Sequence, residues 1–128
     1  MAVPASLDEV VEAFLALYTK EKLPQWRELF LPGFVASATN ADGTVTSYDL
    51  EAFYERQRGL FASGKPVSET MMNTEKTRNG RLASVRSDYV WTDGTAKKHG
   101  RLMMLLVEER GRFRIQALAF SYLEPTPR

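Results

Sequence analysis

The chain has 128 residues, 44% of them hydrophobic and 26% charged, which fits one domain with its own core. Its 17 basic and 16 acidic residues leave a net charge of +1, without the one-sided basic excess of a nucleic-acid binder. With no cysteine and a single histidine, it has no disulfide framework, no thiolate nucleophile and no histidine-rich metal centre, so neither metal nor cofactor is expected. No apolar run nears the roughly 20 residues of a membrane span. No basic-then-apolar leader is visible either, so the expectation is a soluble, cytoplasmic protein.

Ser6-Leu7-Asp8-Glu9 reads as a capping box. Behind it Leu7, Val10, Val11, Phe14, Leu17 and Tyr18 recur at helical spacing, predicting an amphipathic helix over residues 6–20. Pro24 suits the first turn of a second, short helix running through Trp26, Leu29 and Phe30 and stopped by Pro32-Gly33. Residues 34–39 read as a strand, 40–43 as a turn, and Val45 to Tyr48 as a brief extended return. Asp49 caps a third helix, whose face carries Leu50, Phe53, Tyr54, Gln57 and Phe61. Ser63-Gly64 and Pro66 end it.

Turn signals then fall at regular intervals. Asn79-Gly80, Asp93-Gly94 and Arg110-Gly111 separate four extended segments, at 66–78, 82–92, 101–109 and 113–123. Asn-Gly and Asp-Gly favour type I′ hairpins, whose two central residues need positive φ, so the back half reads as an antiparallel meander. Residues 125–128 read as a frayed tail on a single domain whose core spans 6–124. In the segment 101–107, Leu102, Met104 and Leu106 alternate with Met103, Leu105 and Val107, so both faces are apolar and both need cover. Helices cover one face; the other predicts a homodimer through the outer side of the sheet.

This order of elements resembles the nuclear transport factor 2-like (NTF2-like) superfamily, which includes ketosteroid isomerases, SnoaL-like polyketide cyclases and limonene epoxide hydrolases. The residues carrying it are Trp26-Arg27-Glu28-Leu29-Phe30, Phe53-Tyr54, and Gly111-Arg112-Phe113-Arg114-Ile115. The resemblance implies an α+β, cystatin-like cone: three N-terminal helices packed on a curved antiparallel sheet that ends in the meander. A pocket is implied between helices and sheet. It covers residues 6–124, through core positions rather than catalytic ones.

Isomerases of that superfamily place a carboxylate base at the end of the first strand, facing a tyrosine of the first helix. Here the first strand ends Ala36-Ser37-Ala38-Thr39-Asn40, with no acid before Asp42, although Tyr18 stands on the first helix. Cyclase-type relatives carry histidines on the last strand, where this chain has Ala117, Leu118, Ala119 and Phe120. Ala117 and Ala119 are therefore read as room for a ligand, and a tryptophan at 119 is expected to block it. Arg86 and Asp88 share a strand face and resemble the Arg-x-Asp pair of the epoxide hydrolases, without the second aspartate on the last strand. The opposite face of that strand, with Ala83, Val85, Tyr89 and Trp91, is the better candidate for the interior. His99 and the cluster Arg110, Arg112, Arg114 read as loop and hairpin charges.

The functional expectation is a protein that binds a small apolar or aromatic molecule through Phe14, Tyr18, Trp26, Phe30, Phe53, Tyr54, Tyr89, Trp91, Ala117 and Ala119. One alternative is an isomerase, cyclase or hydrolase working through Asp88 with Arg86, or through a pocket tyrosine such as Tyr18. The other is a dimeric interaction module. A carboxylate facing the cavity with a raised pKa would favour catalysis.

Overall fold

A computed structural model describes residues 6–122. The elements in chain order are α1 (Leu7–Ala16), α2 (Leu23–Arg27), β1 (Phe30–Thr39), β2 (Val45–Asp49), α3 (Leu50–Ala62), β3 (Ser68–Asn79), β4 (Leu82–Thr92), β5 (Lys97–Glu109) and β6 (Arg112–Tyr122). The six strands form one sheet in the order β2-β1-β6-β5-β4-β3. The sheet is mixed: β1 runs parallel to β6, where the expectation was antiparallel pairing throughout. The tail at 125–128 and the end of the core at 124 lie outside the described residues.

The capping box forms, Glu9 N donating to Ser6 Oγ at 3.1 Å and Ser6 N to Glu9 Oε1 at 3.2 Å. α1 ends earlier than its apolar stripe predicts. Leu17 caps it, and a turn from Thr19 to Lys22 takes over, held by Lys22 N donating to Thr19. α2 also ends early, because Ile115 N–H captures the Leu29 carbonyl at 2.8 Å and draws Phe30 into β1. Pro32-Gly33 accordingly lies inside β1, in an irregularity between Phe30 and Val35, rather than before it. α3 starts as predicted, with Asp49 Oδ1 accepting from Ala52 N.

The meander stands as the turn signals predict, with different turn geometries. Only Arg110-Gly111 carries positive φ at both central residues, at 53° and 78°. The β3–β4 loop is Gly80-Arg81, with glycine alone at positive φ. Asp93 Oδ1 accepts from the amides of Thr95 and Ala96, closing a tight loop that lets β5 begin at Lys97. His99, expected in a loop, is an exposed strand residue.

The helices cover one face of the sheet. Val10, Phe14, Trp26 and Phe53 pack there against Phe30, Val85, Met104, Leu106 and Ile115, all fully or nearly fully buried. The rings interlock: Trp26 lies 4.7 Å from Phe30 and 5.9 Å from Phe53, and Phe30 lies 4.6 Å from Phe34. Trp26 Nε1 donates to the Phe14 carbonyl at 2.9 Å, so the indole joins α2 to α1 as well as filling the core. The other face has no cover among the described residues. By strand register, Val35, Val45, Met72, Leu82, Met103 and Leu105 all lie on it, and Met103 is 53% exposed.

A bulge decides what β6 shows to each side. Leu106 pairs with Ile115 but Leu105 with Ala117, leaving Gln116 as an extra residue. Side-chain parity flips there: Phe113 and Ile115 point inward, then Leu118 does. Gln116 Nε2 reaches across to the Gly33 carbonyl at 3.1 Å, tying this bulge to the one in β1. Among the described residues no helix is long and apolar enough to cross a membrane.

Candidate functional site

Between the helices and the inner sheet face lies a cavity of about 80 Å³. Phe14 of α1, Tyr18 just beyond its cap, Trp26 of α2 and Phe53 of α3 form its helical wall, and Tyr89 and Trp91 of β4 part of its sheet wall. The remaining predicted ligand residues stand elsewhere. Phe30 is buried in the core beside Trp26, and Tyr54 lies outside the cavity with the Arg27 guanidinium 4.8 Å from its ring centre. Ala117 and Ala119 sit on the opposite face of the sheet, paired with Leu105 and Met103, because the Gln116 bulge reverses the parity that placed them inside. Leu118, Phe120 and Tyr122 line the cavity from β6 instead.

Arg86 and Asp88 are also on the outer face and do not hold each other. Arg86 pairs with Glu75; Asp88 accepts from Asn73 Nδ2 at 3.0 Å and faces Arg101 Nε at 3.7 Å. This is solvent-side chemistry of the kind strands commonly display, and it leaves no Arg-x-Asp pair in the cavity.

The polar groups of the cavity are few and placed by packing. Trp91 Nε1 donates to the Tyr18 hydroxyl at 3.2 Å, and that hydroxyl donates to Gln57 Oε1 at 2.5 Å. The chain of bonds crosses from β4, through the segment that follows α1, to α3. Burial raises the Tyr18 pKa above its ordinary value, so the phenol stays neutral and keeps its proton on Gln57. Gln57 is itself buried, at 8% exposure, and its amide N–H groups have no partner among the described residues.

The group that sequence reasoning missed is Glu69. On β3 it pairs with Trp91, which turns its side chain toward the cavity between Val67 and Met71. Among the described residues it has no hydrogen bond and no ion-pair partner. Loss of hydration pushes its pKa up to about 7. Arg56 and Lys98 border the cavity, but Arg56 lies against the Tyr48 ring, at 5.6 Å, and Lys98 against Tyr122, at 4.8 Å. Burial also raises the pKa values of Tyr89 and Tyr122. A signal for Glu69 was present: Val67, Glu69 and Met71 alternate with Ser68 and Thr70, which places one acid in an apolar row.

Chemically the site offers aromatic walls, the Gln57 amide and the Glu69 carboxyl without hydrogen-bond partners among the described residues, the Tyr122 hydroxyl, and the Arg56 and Lys98 cations at its border. No three His, Cys, Asp or Glu side chains come together to hold a metal among the described residues.

The sequence matches no family model and no curated protein. Solved structures do match. A protein of unknown function from Mycobacterium tuberculosis superposes with a TM-score of 0.75 at 17% identity, over 94% of this chain and 71% of that one. An NTF2-like protein of unknown function from Silicibacter pomeroyi gives 0.72 at 13%, over 93% and 94%. A protein from Novosphingobium aromaticivorans, described as the beta subunit of an aromatic-ring-hydroxylating dioxygenase, gives 0.70 at 14%, over 94% and 88%. At these identities the likeness is one of fold.

Proposed function

Starting from the NTF2-like, cystatin-like fold that this chain adopts, we propose that it binds a small, largely apolar ring compound in the cavity between helices and sheet. The observation that carries this is the wall itself: Phe14, Trp26 and Phe53, packed on one another, border open space together with Tyr89 and Trp91. A core of this fold has no need of a void, since empty apolar volume destabilises. Few, fixed polar groups in an apolar pocket are what small-molecule sites provide. The test is calorimetric titration and thermal shift with simple aromatic ketones. Leu60→Trp, on the cavity wall, should abolish binding, whereas Ala119→Trp, on the outer face, should not. Binding that survives in Leu60→Trp places the site elsewhere.

Glu69 favours a second reading, proton transfer on the bound molecule. A carboxyl group titrating near neutrality can accept a proton from a carbon acid and return it at another atom, with no net consumption. This role replaces Asp88, whose side chain is on the wrong side of the sheet. Deuterium exchange into a bound ketone, lost in Glu69→Gln, is the measurement that decides it.

For the uncovered sheet face we infer a second copy of the chain as the cover. Its large exposed apolar residues, Met103 and Leu105 at its centre, share one surface rather than being scattered.

A further inference from the structure

Besides the Tyr122 hydroxyl and the exposed cations Arg56 and Lys98, two polar groups of the cavity have no hydrogen-bond partner among the described residues, and they are of opposite kind. Gln57, on α3, offers amide N–H with its oxygen already committed to Tyr18. Glu69, on β3, offers carboxyl oxygens and meets no donor among the described residues. Buried polar groups are normally satisfied, so an unmatched donor on the helical side and an unmatched acceptor on the sheet side describe what is missing between them.

Resting on the binding reading above, we propose that the occupant is a hydroxylated aromatic carbonyl compound, its hydroxyl donating to Glu69 and its carbonyl oxygen accepting from the Gln57 amide. The rings on the helical and sheet walls supply the faces against which the compound's own ring packs. A cationic compound would also satisfy Glu69, but it would meet Arg56 and Lys98, both bordering the cavity, as like charges. An acidic compound would meet Glu69 as a like charge. A neutral hydroxyl avoids both conflicts, and a hydrogen bond to an ionised carboxylate is stronger than one to a neutral acceptor.

The experiment compares 4-hydroxyacetophenone with 4-methoxyacetophenone, equal in ring and carbonyl but differing in the donor, by calorimetry at pH 7.5. The intact protein should prefer the hydroxyl compound by about tenfold, the discrimination a charged acceptor supplies. In Glu69→Gln the preference should fall to about threefold or less, with the methoxy compound little affected. The melting temperature of Glu69→Gln establishes that the variant is folded. Equal binding of both ketones to the intact protein overturns the hydroxyl assignment and leaves the binding site standing. An undiminished preference in Glu69→Gln moves the acceptor to another residue and overturns it too. Binding of neither compound removes the binding reading itself.

Discussion

The Tyr18 hydroxyl donates to Gln57 Oε1 at 2.5 Å, across 39 residues of sequence, and so fastens the segment just after α1 to the middle of α3. The Tyr18 hydroxyl oxygen in turn accepts from Trp91 Nε1. Tyr18→Phe removes both bonds while keeping the ring that packs against Phe61 at 5.0 Å. The variant should lose about 1–3 kcal/mol, because it strands a buried acceptor and an indole N–H. Urea unfolding measures it; a loss under about 0.5 kcal/mol would show the bond chain to be idle.

Glu69 makes stability depend on pH in an uncommon direction for a carboxylate. Its folded pKa, about 7, lies above the ordinary 4.5, so the folded protein holds this proton more tightly than the unfolded chain. Its contribution is therefore greatest below pH 4.5 and is lost as pH rises through 7. Glu69→Gln removes the dependence. Relative to the intact protein, the variant should gain up to about 3 kcal/mol between pH 5 and pH 8. Denaturation midpoints at the two pH values test it, and parallel shifts in both proteins would place the carboxyl in water.

Gly100 is held small by its neighbours. It pairs with Tyr89 on β4 and Tyr122 on β6, and a Cβ there would meet the Tyr89 ring at 2.6 Å and the Ser121 carbonyl. Gly100→Ala should cost about 1–3 kcal/mol by overpacking and displace a cavity-lining ring. Both thermal stability and ketone affinity should fall. Unchanged affinity in a destabilised variant would uncouple Tyr89 from the ligand.

Met103→Lys and Leu105→Lys put charge at the centre of the outer face. Sedimentation of the intact protein should give twice the mass of one chain, and the double variant one chain. A monomeric intact protein at micromolar concentration would end the dimer reading.

Asp88→Asn should change stability by less than about 0.5 kcal/mol, since its partners Asn73 and Arg101 are solvent-side contacts. Ligand affinity should be unaltered. A large effect on binding would mean that the outer face communicates with the cavity.

The elements were legible where one local rule acted alone. Ser6 with Glu9, Asp49 before Leu50 and Arg110-Gly111 each specify a terminus or turn with their own atoms. The β4 interior was legible from alternation, since Ala83, Val85 and Tyr89 could be buried only together. Phe30 and the alanines of β6 were not legible, because distant pairing decided them. Phe30 continues a helical spacing, yet Ile115, 85 positions away, claims the neighbouring carbonyl. Ala117 and Ala119 obey a period of two until Gln116 adds a residue that no propensity marks. Glu69 was overlooked for a related reason: a glutamate in a polar-looking strand is usually solvated, and only the Trp91 register turns this one inward.

The β1–β6 pairing has a consequence in time. The strand translated last among these six is not at an edge but third in the sheet, between β1 and β5. Until β6 arrives, β1 and β2 have no bridge to the rest, and the cavity lacks Leu118, Phe120 and Tyr122. A nascent chain can wind α1 and α3 and form the β3–β4 hairpin early, from local contacts, but closure waits for residues 112–122 to be released. Stalling synthesis before β6 should leave a protease-sensitive, ligand-blind chain, however well its helices have formed.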